Sequence, residues 1–90
     1  MTRIARTVTI ANKRGLHARA SAKFVTLASA QPCEVTVEKD GAAVTGTSIM
    51  GLMMLGAAIG DTITICASGN GADRAVAELA ALVEAKFGEE

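Results

Sequence analysis

The residues with chemical potential are gathered in the stretch Asn12 to Ala22, NKRGLHARASA, which holds the chain's only histidine, His17. Arg19, Ser21 and Lys23 follow it closely. A neutral imidazole is a nucleophile, and a guanidinium beside it can bind an oxyanion with charge-assisted bonds. Gly15-Leu16 reads as a turn, and the alanine-rich segment after it reads as the start of a helix. That order places His17 at a helix mouth, where unpaired backbone N–H groups and the positive end of the macrodipole suit an anion, phosphate in particular. An arginine in the first turn opposes the dipole unless an anion visits, so Arg19 points the same way. The chemistry indicated is phosphoryl exchange at an imidazole.

The elements that must position these residues follow from periodicity. Ile4 to Ile10 ends in the alternation Thr7-Val8-Thr9-Ile10, a half-buried strand that delivers the chain to the Asn12-Lys13-Arg14-Gly15 loop. Beyond His17, the apolar positions Ala20, Phe24, Leu27 and Ala28 recur at three and four, giving a helix that Pro32 ends by residue 31 or earlier. Glu34 to Glu38 alternates strictly, and Lys39-Asp40-Gly41 turns it into a weaker strand over Ala42 to Thr45. Ser48 as N-cap and Gly56 as C′ bound a helix of about two turns. Its residues Ile49, Leu52 and Leu55 are assigned chiefly to the core by their spacing of three. Met50, Met53 and Met54 either fill an irregular core or form an exposed, adaptable patch. Asp61 to Ala67 alternates with Ile63 and Ile65 inward, and Gly69-Asn70-Gly71 is a turn. A last helix, Ala72 to Phe87, carries Ala75, Val76, Leu79, Leu82 and Val83 on one side, with Asp73 and Lys86 complementing its dipole. Gly88-Glu89-Glu90 is expected to fray. The class is α+β: an antiparallel sheet with helices on one face.

Composition narrows the function. Ninety residues, half of them apolar, fit one domain spanning 1–90 with a single small core. Nine basic and nine acidic residues give a net charge of +0, so no global field recruits nucleic acid or an anionic membrane. No apolar run is long enough to span a bilayer, and Met1-Thr2-Arg3 leads into alternation, so a cytoplasmic location is expected. Cys33 and Cys66 form no CxxC pair and read as small thiols in a reducing compartment; with one histidine they make no zinc site, and neither metal nor cofactor is expected. A hydrolase would need a base, a nucleophile and an orienting carboxylate, yet no acid lies near His17 in sequence. An RNA-binding sheet would display aromatics, whereas Phe24 and Phe87 both fall in helices.

Two motifs carry a family resemblance. GLHARASAKFV (Gly15 to Val25) and GTSIMGLMML (Gly46 to Leu55), in this order and at this separation, resemble the HPr family of histidine-containing phosphocarrier proteins of the bacterial phosphoenolpyruvate-dependent phosphotransferase system. The resemblance implies an open-faced β-sandwich, four antiparallel strands with three helices on one face in the order βαββαβα. It implies that His17 takes a phosphoryl group on Nδ1 from phosphorylated enzyme I and passes it to a histidine of an EIIA-type domain, a stoichiometric carrier and not a stand-alone catalyst. Arg19 and the backbone N–H groups of Ala18 and Arg19 would bind the phosphoryl oxygens. Ile49, Met50, Met53 and Met54 would form the docking face, and the carrier is expected to be a monomer.

The matching serine, Ser48, has two roles open to it. As an N-cap it contributes about 1 kcal/mol to its helix; in one branch of the family a dedicated kinase phosphorylates this serine, which makes the carrier a regulator. Two departures matter. The proline that commonly follows the HAR triplet is Ala20, which loses a preset φ but is the best helix former, and the lysine that commonly precedes the serine is Thr47, which weakens the case for Ser48 phosphorylation. Ala20 together with GLMML leans toward the nitrogen-related, regulatory branch. The alternative from another class is an interaction module of the same family that controls targets without sugar transport.

Overall fold

The computed structural model describes residues 3–89. The elements run β1 (Arg3–Thr9), α1 (Ala18–Ser29), β2 (Glu34–Lys39), β3 (Ala42–Thr45), α2 (Ile49–Met54), β4 (Thr62–Ser68) and α3 (Ala72–Glu84), followed by a 3-10 turn at Lys86–Gly88. One sheet in the order β1-β4-β2-β3 is antiparallel throughout. The expected α+β, open-faced architecture is what the chain adopts.

Alternation explains why one face is covered. Val8 pairs with Ile63, and Val37 lies between Ile65 on β4 and Val44 on β3. These, with Val35 and Ala67, turn their side chains to the helices, and all but Val44 are buried. The opposite face is polar: Thr7 and Thr64 share a hydrogen bond of 3.0 Å, and Arg3 reaches Glu38 at 2.9 Å beside Cys66. The β2–β3 turn holds Asp40 at φ 50° and Gly41 at φ 86°, the positive pair that a two-residue hairpin requires. Helix α3 packs on β1 and β4, and α1 packs on α2 and α3. Ala20, Phe24 and Ala28 form the buried stripe of α1, while Leu27 is half-buried at its margin.

Three expectations are corrected. Ile49, assigned to the core, is 40% exposed, whereas Leu52 is fully buried. Three residues advance a helix by about 300°, so in six residues only one position faces squarely inward; Ile49 sits at the rim and Leu55 is half-buried. The last helix stops at Glu84 instead of reaching Phe87, and Lys86 therefore lies beyond it. Lys86, Phe87 and Gly88 form a left-handed turn with φ of 59°, 56° and 74°. Nor does the segment after it fray, since Glu89 is bonded to the loop before α1; Glu90 lies outside the described residues.

That turn is affordable because of what it buries. Left-handed backbone costs about 1–2 kcal/mol per non-glycine residue. Phe87 is buried to 1% exposure, worth about 2–3 kcal/mol. Lys23 Nζ also donates to Phe87 O at 2.7 Å, a charge-assisted bond worth about 1.5–3 kcal/mol. The two gains together cover the two strained residues.

The approach to α1 is equally constrained. Ile10 is buried and tied to the loop before β4 through Ile10 N to Asp61 O, 2.8 Å, and Gly60 N to Ile10 O, 2.9 Å. Leu16 N then donates to Ala57 O at 3.0 Å. Gly15, at φ 64°, lies so close that a Cβ on it would collide with Ala57 O and stand 3.0 Å from Ala58 Cα. Backbone cannot yield cheaply there. Gly15→Ala should lower stability by roughly 2–4 kcal/mol, seen as a reduced urea midpoint at unchanged slope. A midpoint equal to that of the parent would mean that the loop does not depend on this close approach.

Candidate functional site

His17 is the N-cap of α1, in extended backbone with φ −73° and ψ 179°. Its carbonyl accepts the first helical bond, from Ser21 N at 2.9 Å, while its ring makes no capping bond. No acidic side chain stands in the first turn, so the N–H groups of Ala18 and Arg19 begin the helix without a carboxylate against them. Ser21 has a structural role. It is fully buried and donates through Oγ to Leu16 O at 3.2 Å, which braces the turn from inside.

A residue far away in sequence completes the surroundings of the ring. His17 Nε2 pairs with Glu89 Oε2, and both side chains are largely withdrawn from water, at 15% and 16% exposure. The other carboxylate oxygen accepts from Asn12 Nδ2 at 3.1 Å, and the same amide donates its second hydrogen to Gly15 O at 2.8 Å. Asn12 is fully buried; its Oδ1 has no hydrogen-bond partner among the described residues. The bond from His17 holds the Glu89 carboxyl below its ordinary range, against a smaller opposing effect of burial and with help from Asn12 and the charges of His17 and Lys23.

Charge is local here. Lys13, Arg14, Arg19 and Lys23 line, with Gly88 and Glu89, an open cleft of about 400 Å3 beside the histidine. A chain of zero net charge thus has one strongly basic recess.

The second motif forms an apolar face on α2. Ser48 Oγ accepts from Gly51 N at 3.0 Å and caps the helix as expected. Met50 and Met54 are 68% and 80% exposed, and Ile49, Met53 and Ile59 are also exposed. Four of these five are the docking residues named from sequence, and the core-filling alternative does not hold for the methionines. The loop before α1 bonds the segment that leaves α2, Leu16 N to Ala57 O at 3.0 Å, so the mouth of α1 lies beside the end of α2.

The structure places His17 at the mouth of α1, Arg19 in its first turn on the basic cleft, and Ser48 as the cap of α2. Sequence reasoning missed Glu89, Asn12 and Ile59. The one available signal for the first was Phe87, an apolar residue beyond the last periodic position, which requires the chain around it to dock. Both cysteines are free; Cys66 is buried, and burial pushes its thiol up. Among the described residues no group of three or more His, Cys, Asp or Glu side chains could hold a metal ion, and no helix is long and apolar enough to cross a membrane.

Comparison with known proteins agrees with this arrangement. The family model described as "PTS HPr component phosphorylation site" matches residues 4–85. Phosphocarrier protein NPr of Shewanella violacea is 45% identical over 99% of this chain and 98% of its own length. Phosphocarrier protein HPr of Cupriavidus necator is 46% identical over 93% and 94%. The crystal structure of HPr-C-His from Thermoanaerobacter tengcongensis superposes with a TM-score of 0.90 at 43% identity, covering 100% of this chain and 99% of that one. The chain belongs to the HPr family of phosphocarrier proteins of the phosphotransferase system.

The contact that the tail makes with the ring is sensitive to acid in a defined sense. A carboxyl whose folded pKa is depressed contributes stability that is complete above its ordinary value of 4.5 and is lost as pH falls through the folded value. The Glu89 amide, which donates to Lys86 O at 2.9 Å, should therefore lose hydrogen-exchange protection below pH 4.5, before the sheet amides do. Simultaneous loss in tail and sheet would show that the carboxylate does not hold the tail.

Proposed function

We propose that the chain accepts a phosphoryl group on His17 Nδ1 from phosphorylated enzyme I and delivers it to a histidine of an EIIA-type domain, acting as a stoichiometric carrier in the cytoplasm and not as a catalyst. The observation that carries this reading is His17 at an uncapped helix mouth, beside a basic recess and next to an exposed methionine face. A neutral imidazole attacks, the N–H groups of Ala18 and Arg19 with the Arg19 guanidinium hold the phosphoryl oxygens, and the open cleft leaves room for a second protein to remove them. Few donors and an open cleft beside the ring favour release over retention.

Ala20, the GLMML sequence and the likeness to an NPr favour an output that is regulatory over one dedicated to sugar uptake. Ser48 serves in this reading as a helix cap. A phosphate on it would stand at a helix N-terminus, which the fold tolerates, but Thr47 supplies no positive charge beside it.

Incubation with phosphoenolpyruvate and enzyme I should place one phosphate on His17, labile in acid and stable in base as a phosphoramidate is. Absence of label on the parent protein, or undiminished label on His17→Ala, would exclude the proposal. Met50→Asp should slow transfer from enzyme I by about tenfold, since a desolvated charge at an interface costs more than 1 kcal/mol, while leaving the urea midpoint unchanged. An unaltered transfer rate would remove Met50 from the docking face.

A further inference from the structure

Glu89 lies beyond the span that the family match covers, 4–85, yet it is the acid against the ring. An ionised carboxylate can only accept hydrogen bonds. A ring nitrogen facing it must therefore carry hydrogen, so in the neutral ring the Glu89 contact assigns the proton to Nε2 and leaves the lone pair on Nδ1. No described residue hydrogen-bonds Nδ1, so that lone pair is unengaged.

We propose that Glu89 is a positioning residue for phosphoryl transfer, one that fixes His17 in the Nε2–H tautomer and thereby selects Nδ1 as the nucleophile. The inference rests on the carrier reading given above. Three features make the carboxylate a fitted part and not a passing tail. Buried Asn12 holds its second oxygen while also bonding Gly15, the residue whose left-handed backbone turns the chain into α1. The left-handed turn at Lys86–Gly88 aims the tail back toward α1, and buried Phe87 and the Lys23 bond anchor that turn. Ring and carboxylate are both largely shielded from water, where such an orientation is better defined than on an open surface.

The reaction balances without moving a proton. The Nδ1 lone pair forms the new N–P bond as the bond from phosphorus to the donor breaks, its electron pair leaving with the donor. The ring, still carrying hydrogen on Nε2, becomes cationic, and the Glu89 carboxylate already faces that charge. Delivery to the acceptor reverses these steps. Glu89 thus aligns the nucleophile before attack and stabilises the phosphorylated ring after it, as a carboxylate behind a metal-bound or triad histidine does for its own ring.

The single histidine makes the test clean, because every imidazole nitrogen signal belongs to His17. Nitrogen-15 spectra of the unphosphorylated protein near neutral pH should show the Nε2–H tautomer in the parent, a shift toward the mixture of a free side chain in Glu89→Ala and Glu89→Gln, and partial return in Glu89→Asp. Single-turnover transfer from phosphorylated enzyme I should fall by about tenfold in the Ala and Gln variants, again with partial return in Asp. Backbone amide spectra serve as the check that each variant is folded. Parent-like ring signals or a parent-like transfer rate in Glu89→Gln would overturn the positioning role while leaving the carrier reading intact. A parent protein that takes no label would overturn both.

Discussion

The carbonyl of Ala57 occupies the space that a side chain on residue 15 would need, and the arrangement of the functional end follows from that exclusion. Only glycine fits, at a φ that other residues enter with strain. The chain then reverses sharply enough for Leu16 to enter the core and bond Ala57, and the next residue is left at the rim as the N-cap of α1. The same contact ties that rim to the segment leaving α2. The histidine and the methionine face are thereby held in a fixed relation by backbone atoms.

A carrier has to solve opposite problems with one set of groups, since it must hold a phosphoryl group long enough to travel and surrender it on contact. In the reading proposed above the two tasks are separated spatially. Ala18 and Arg19 are exposed and would hold the phosphate where an approaching protein can compete for it, whereas the contacts that would orient the imidazole, from Glu89 through Asn12 to Gly15, lie on the protected side. Orientation is thus insulated from exchange. Partners can replace the first set without disturbing the second.

How much of this was legible in the sequence depended on the range of the interaction involved. Strand alternation, the Asp40-Gly41 turn, the Ser48 cap and the α1 stripe are local signals, and each structure they indicate is present. A spacing of three points Ile49 inward only where a helix is long enough to bury its ends, and in one of six residues the end positions escape burial. The tail escapes local reading for a different reason. Its docking depends on a cationic side chain in α1 and an amide in the loop after β1, so nothing within a few residues of Glu89 could announce it. No acid lies near His17 along the chain, yet Glu89 lies against it in space.

The basic recess has a consequence for the order of encounters. Its described side chains comprise four cations and one carboxylate, a local excess of three positive charges on a protein whose total charge is zero. A phosphoryl group brings roughly −1.5 to −2, which would cancel half or more of that excess. An acidic partner would then be drawn quickly to the empty form and held less firmly by the loaded one, because steering depends on the field present at the moment of approach. Occupancy itself would act as the signal that sends the donor away, with no moving part beyond the group being carried.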